Sequence, residues 1–234
     1  MSSSTEIAAL LDAALKLCQA GALPQAEQIY RQVLALDADA ADAWNMLALV
    51  RYQQGGLAEA AAAAERATLL RPHISPYWLT RGNIELARHR NREAQSSFGR
   101  ALELNPAFAE AHYRLALSYH RERRIADAIA AYRAALRYAP DVAEIHYQLA
   151  EALILEDRWD DAMRAYQAAF ARDPGGELDR RGCLDFLRYL QWDALPEFWN
   201  AEITRFFARE DVDKTRYVSV GLQALKVKIG RAHV

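Results

Sequence analysis

Apolar and polar positions alternate along the chain in blocks that read as helical hairpins. In residues 41–74, Trp44, Leu47 and Ala48 form one apolar stripe at helical spacing, the polar run Gln54-Gly55-Gly56 interrupts it, and Ala60, Ala64 and Ala67 form a second. The block recurs. Ala26, Ala60, Ala94, Ala128 and Ala162 each follow the last by 34 residues, and Pro72, Pro106, Pro140 and Pro174 keep the same step. A third column, Ala67, Ala101, Ala135 and Ala169, agrees, with Val33 in the equivalent place of the first block. The pattern predicts an all-α chain of antiparallel helix pairs, with five repeats at residues 7–40, 41–74, 75–108, 109–142 and 143–176.

Mechanical reasons attach to these columns. Ala48, Gly82, Ala116 and Ala150 on the first helices are expected to face Ala60, Ala94, Ala128 and Ala162 on the second, so that the backbones approach closely. Tyr30, Phe98, Tyr132 and Tyr166, together with Trp44 and Trp78, are expected to fill the space between hairpins. Each proline ends a second helix and biases its predecessor away from helix. Asp141 and Glu144 stand at the spacing of a capping box that would restart the helix.

The run Leu115-Ala116, Tyr119, Ala128, Tyr132, Ala135 and Pro140 resembles the tetratricopeptide repeat signature almost position for position, and the resemblance covers all five blocks. Ala38 stands where that family favours proline. His112 and His146 stand where Trp44 and Trp78 occur in earlier repeats, and are expected to pack in the interface rather than bind metal. The resemblance implies a right-handed superhelical solenoid whose first helices line a concave groove, with the second, fifth, ninth, twelfth and thirteenth positions of each repeat facing it. Those positions nominate Asn45, Tyr52, Gln53, Asn83, Tyr113, Leu117, His120, Arg121, Tyr147 and Glu151 as contacts for an extended peptide or protein segment. Two family sub-types do not fit. The carboxylate clamp is matched only singly, by Asn83 and Arg114, and its lysines are missing. An asparagine ladder at the sixth position is replaced by Asp12, Met46, Thr80, Arg114 and Gln148.

From residue 177 the register slips. Trp192-Asp193-Ala194-Leu195 echoes Trp159-Asp160-Asp161-Ala162 one residue early, so residues 177–210 read as a degenerate sixth helix pair capping the solenoid. Phe198, Trp199, Phe206 and Phe207 exceed what a cap needs and offer a surface for oligomerisation or for a following segment, residues 211–228. Residues 229–234, Ile-Gly-Arg-Ala-His-Val, match one reading frame of a common sequencing adapter. The expectation is a gene cut short after Lys228, the native chain being the N-terminal repeat region of a longer bacterial protein.

Composition narrows the function classes. Lys and Arg number 29 against 31 Asp and Glu, a formal charge of −2, so nothing draws the whole chain toward nucleic acid. The local runs Arg88-His89-Arg90-Asn91-Arg92 and Arg121-Glu122-Arg123-Arg124 read as solvated turns or as one basic edge. Two distant cysteines, Cys18 and Cys183, and the lack of an apolar membrane-length run suit a cytoplasmic protein. No Gly-rich phosphate loop, paired Cys/His spacing or nucleophile elbow occurs, so neither cofactor nor catalysis is expected. The reading is a protein-interaction scaffold. The alternative is the non-catalytic repeat region of a transferase (glycosyl-, O-GlcNAc-, sulfo- or methyltransferase), whose connector Tyr189-Leu190-Gln191-Trp192-Asp193-Ala194-Leu195 loosely resembles.

Overall fold

The computed structural model describes residues 3–173; the expected cap, the segment after it and the six terminal residues lie outside these. The described residues form ten helices: α1 (Ser3–Gln19), α2 (Leu23–Leu36), α3 (Ala41–Gln53), α4 (Leu57–Leu70), α5 (Ser75–Ala87), α6 (Asn91–Leu104), α7 (Ala109–Arg121), α8 (Ile125–Tyr138), α9 (Ala143–Ile154) and α10 (Trp159–Arg172). The chain divides into two compact units, residues 1–140 and 141–234. In the first, each odd helix packs on the even helix after it and each even helix on the next odd one, as in a solenoid of hairpins. In the second, α9 packs on α10.

Alanine columns hold the helix pairs together. Ala14, Ala48, Ala116 and Ala150 on first helices, and Ala26, Ala60, Ala94 and Ala128 on second helices, are wholly buried. Gly82 departs from the expected purpose of its column. A β-carbon there would lie 2.4 Å from Cε1 of Phe98, so the missing side chain makes room for that ring. The aromatic column also contacts the first helix of its own hairpin, where packing between hairpins was expected: Cys18 Sγ meets Tyr30 Oη at 3.8 Å, His120 Nδ1 meets Tyr132 Oη at 3.3 Å, and Tyr147 lies edge-on to Tyr166 at 5.6 Å.

The turn inside every hairpin has one geometry. Gly21, Gly55, His89, Arg123 and Asp157, 34 residues apart, all take a left-handed backbone with φ between 55° and 82°. The next residue's N–H returns to the carbonyl five residues back, as from Gly56 to Arg51 (2.9 Å) and from Arg124 to Tyr119 (3.0 Å). This is the Schellman closure, which satisfies carbonyls that the helix end leaves open. Glycine takes that conformation without strain; His89, Arg123 and Asp157 do not.

Between hairpins the second helix stops two residues before the proline, and the intervening residue leaves the helical region: Arg71, Asn105 and Ala139 have φ near −134° to −140°. Asp37 takes φ −143° although Ala38 follows it, and its Oδ1 accepts the N–H of Asp39 at 3.0 Å. The same side-chain turn occurs at Asn105, whose Oδ1 accepts the N–H of Ala107 at 3.2 Å across Pro106, so it closes this connection with or without proline. A ring N–H then ties the new helix back to this turn. Trp44 Nε1 donates to the Ala38 carbonyl (2.9 Å), Trp78 Nε1 to that of Pro72 (2.8 Å), and His112 Nε2 to that of Pro106 (2.9 Å). His112 also stacks on Tyr138 with ring centroids 5.9 Å apart.

The expected capping box does not form. The residue before α9 is Val142, with no side-chain cap; Glu144 accepts from Gln148 Nε2 (2.9 Å), and Asp141 pairs with Arg172 (3.4 Å). The same slot is apolar ahead of α3, α5 and α7, at Ala40, Ile74 and Phe108. Acid in the first turn, Asp42, Glu110 or Glu144, complements the helix N-terminus in three of these four helices instead.

Candidate functional site

The fifth, ninth and twelfth positions of a first helix fall on one helix face. On α3 they begin with Asn45, which is only 9% exposed, and its Oδ1 is buried without a hydrogen-bond partner. Tyr52, the last residue but one of the helix, remains 36% exposed, and Gln53 is exposed. A buried carbonyl oxygen left unpaired costs about 1–3 kcal/mol. Asn83 on α5 is half-buried.

On α7 the same positions are engaged from within. Tyr113 and His120 both lie against Tyr132 of α8, with ring centroids 6.2 Å away in each case, and Leu117 is half-buried between them in sequence. Arg114 lies 5.5 Å over the Tyr113 ring while its Nε donates to Glu110 at 2.7 Å. Burial, and then the charge of Arg123, hold the His120 imidazole below its ordinary pKa of 6.5, so the ring is neutral near pH 7. Arg121 is exposed. In the second compact unit, Tyr147 is buried against Tyr166, and Glu151 accepts a hydrogen bond from the Tyr166 hydroxyl.

Three residues bear on these positions in ways the sequence reading did not assign. Tyr132 and Tyr166 anchor the candidate side chains of their own hairpins, a pairing visible as a constant offset between the fifth and twenty-fourth positions of a repeat. Asp42, at a second position, accepts a hydrogen bond from Tyr77 of the next hairpin and pairs with Arg71 at 3.3 Å. Burial and that carboxylate push the Tyr77 hydroxyl up to about 12, so it stays a donor.

The basic turns are partly neutralised. Arg88 and Arg90 approach the buried Glu85 at 3.1 and 3.9 Å, and Arg124 pairs with Asp127 at 2.7 Å while lying 4.4 Å from the centre of the Tyr119 ring. Gln95 Nε2 donates to Glu122 Oε2 at 2.9 Å, linking the third hairpin to the turn of the fourth. No helix among the described residues is long and apolar enough to cross a membrane.

Comparison with known proteins places this architecture. Among solved structures, PilF of Pseudomonas aeruginosa is similar with a TM-score of 0.74 at 20% identity, over 97% of this chain and 94% of that one. MamA from Desulfovibrio magneticus RS-1 is similar with a TM-score of 0.65 at 15% identity, over 73% of this chain and 97% of that one. YrrB, described as a tetratricopeptide protein with an unusual peptide-binding site, has a TM-score of 0.62 at 19% identity, over 78% and 97%. Among curated proteins none matches. One tetratricopeptide repeat family model matches residues 9–76 and 79–134, and a second matches 119–179. The chain belongs to the tetratricopeptide repeat family.

Proposed function

We propose that the chain is a cytoplasmic protein-interaction scaffold that holds an extended peptide segment of a partner along its first helices, acting by binding rather than catalysis. The buried, unpaired Oδ1 of Asn45 carries this reading. Rotation of the Asn45 side chain toward its exposed edge lets this acceptor take a peptide N–H, the donor it lacks, and the exposed Tyr52 ring, on the same helix face, offers an apolar surface for an adjacent side chain. Asn83, Leu117 and Arg121 extend the face through the first compact unit, with Tyr113 and His120 as its aromatic wall. Tyr147 and Glu151 are the corresponding positions of the second. The peptide-binding site described for YrrB, a protein of the same fold, supports a ligand of this class.

The test is selection of binders from a random phage-displayed peptide library against the full chain, followed by titration of the recovered peptides against Asn45→Leu and Tyr52→Ala variants. Each substitution should weaken binding by about tenfold or more, equivalent to ~1.4 kcal/mol, while helicity by circular dichroism is unchanged. In the same samples Asn45→Leu should raise the unfolding free energy by about 1–3 kcal/mol, because an unsatisfied buried acceptor is removed. Peptides that bind Asn45→Leu as tightly as the parent would sink the reading.

A further inference from the structure

A hollow lies away from the Asn45 and Tyr52 face. Trp44, Leu47 and Arg51 fall on one stripe of α3, about 100° round the helix from those two residues. Together with α2 and α4 they enclose an open hollow of about 490 Å³, within the range of small-molecule sites. Its floor is apolar, made by Trp44, Leu47 and Ala63, the last two almost fully buried. The Trp44 ring is fixed by its bond to the Ala38 carbonyl.

The charge at its edge is uneven. Arg31 and Arg51 both line the hollow and share a single carboxylate, that of Glu27, at 2.5 and 2.9 Å. The Glu27 side chain is only 8% exposed, so it holds both guanidiniums in place from below. Each guanidinium carries five N–H donors, and one shared carboxylate cannot occupy them all. These two guanidiniums and Glu27 together carry one positive charge in excess, which Glu59 on the wall balances at longer range, and they have donors to spare. The other guanidinium on the wall, Arg66, is paired with Asp39 at 3.1 Å. Glu59, also on the wall, disfavours a second negative charge on any occupant.

From these features we propose that the hollow between α2, α3 and α4 binds an amphiphilic carboxylate. One carboxylate takes the spare donors of Arg31 and Arg51, and an apolar body of about the size of an aromatic side chain rests on Trp44, Leu47 and Ala63. Both a free small acid and the carboxyl terminus of a polypeptide present this chemistry.

Isothermal titration of the full chain tests it, with 3-phenylpropionate, its neutral amide, phenylsuccinate, and an acetylated peptide ending in phenylalanine as probes. The monocarboxylate should bind at least about tenfold more tightly than the amide, as the loss of a charge-assisted pair requires, and more tightly than the dicarboxylate. Arg31→Met, at a largely exposed position, should lower its affinity by a similar factor. Ala62→Trp, on the exposed wall, should abolish binding by filling the hollow, and Asn45→Leu should leave it unchanged. Tighter binding of the peptide than of the small acid assigns the site to a chain terminus, and the reverse assigns it to a free acid. Equal binding of acid and amide, preference for the dicarboxylate, retained binding in Ala62→Trp, or no heat from any probe at millimolar concentration would each overturn the proposal.

Discussion

In the fourth hairpin Tyr113 and His120 both rest on Tyr132, whereas the same three positions of the second hairpin hold Asn45, Tyr52 and Ala64. The backbones follow the same helix–turn–helix plan, so the difference lies in the side chains. Where the second helix supplies a ring, the first-helix face is spent on internal packing and its polar atoms find partners. Where it supplies a methyl group, Asn45 is left with a buried unpaired oxygen and Tyr52 stays exposed. These first-helix positions are thus of two kinds, one satisfied from within the hairpin and one not.

The largest expected effect is on the ring that makes the fourth hairpin self-sufficient. Tyr132→Ala, at a wholly buried site, should cost about 3–5 kcal/mol in chemical denaturation; a loss below about 1 kcal/mol would mean that Tyr113 and His120 do not depend on it. Ala64→Phe asks the converse question. Adding a ring to the second hairpin, whose Ala64 is wholly buried, should overpack it and cost about 1–3 kcal/mol, and unchanged stability would show that the hairpin has room for the missing aromatic.

A smaller effect contrasts the turns. Gly55 and Arg123 occupy the same left-handed position, at φ 82° and 62°. Arg123→Gly should stabilise by roughly 0.5–1 kcal/mol, since relief of strain exceeds the entropy lost by glycine, while Gly55→Ala should cost about 1 kcal/mol. Equal and opposite changes are not required, but a destabilised Arg123→Gly would contradict the strain argument.

The least effect is the pH response of His120. Its folded pKa lies below 6.5, so the folded chain binds fewer protons than the unfolded chain as pH falls through that range. Stability from His120 is therefore fully present above 6.5, declines as pH falls toward the folded pKa, and is flat below it. His120→Leu should make the denaturation midpoint less dependent on pH between about 5 and 7 than in the parent chain; identical profiles would place the ring in solvent.

The helices were legible because alanine, proline and the polar turns recur at a constant step that no side-chain detail can hide. The candidate side chains were legible only as positions. Whether Tyr113 faces a ligand or a neighbour depends on Tyr132, nineteen residues on, and register arithmetic alone does not weigh one against the other. The capping box failed for a related reason: Asp141 and Glu144 have the right separation, but the helix begins at Ala143, one residue too late for Asp141 to reach its N-terminal amides. The left-handed turn residues were visible at Gly21 and Gly55 and concealed at His89, Arg123 and Asp157, where hairpin closure overrides residue preference.

Gly82 and Phe98 bind the history of the third hairpin to its geometry. Because the ring occupies the volume that a β-carbon would need, residue 82 cannot drift alone: a side chain there is admissible only after the ring at 98 has shrunk, turned or withdrawn. The two helices of this hairpin therefore form one heritable module. Three other hairpins seat a tyrosine at the equivalent place opposite alanine, Ala14 with Tyr30, Ala116 with Tyr132 and Ala150 with Tyr166, so exchange of whole hairpins keeps each ring with the first helix shaped for it, whereas a crossover within the turn at His89 would oblige the Phe98 ring to re-seat against a methyl group.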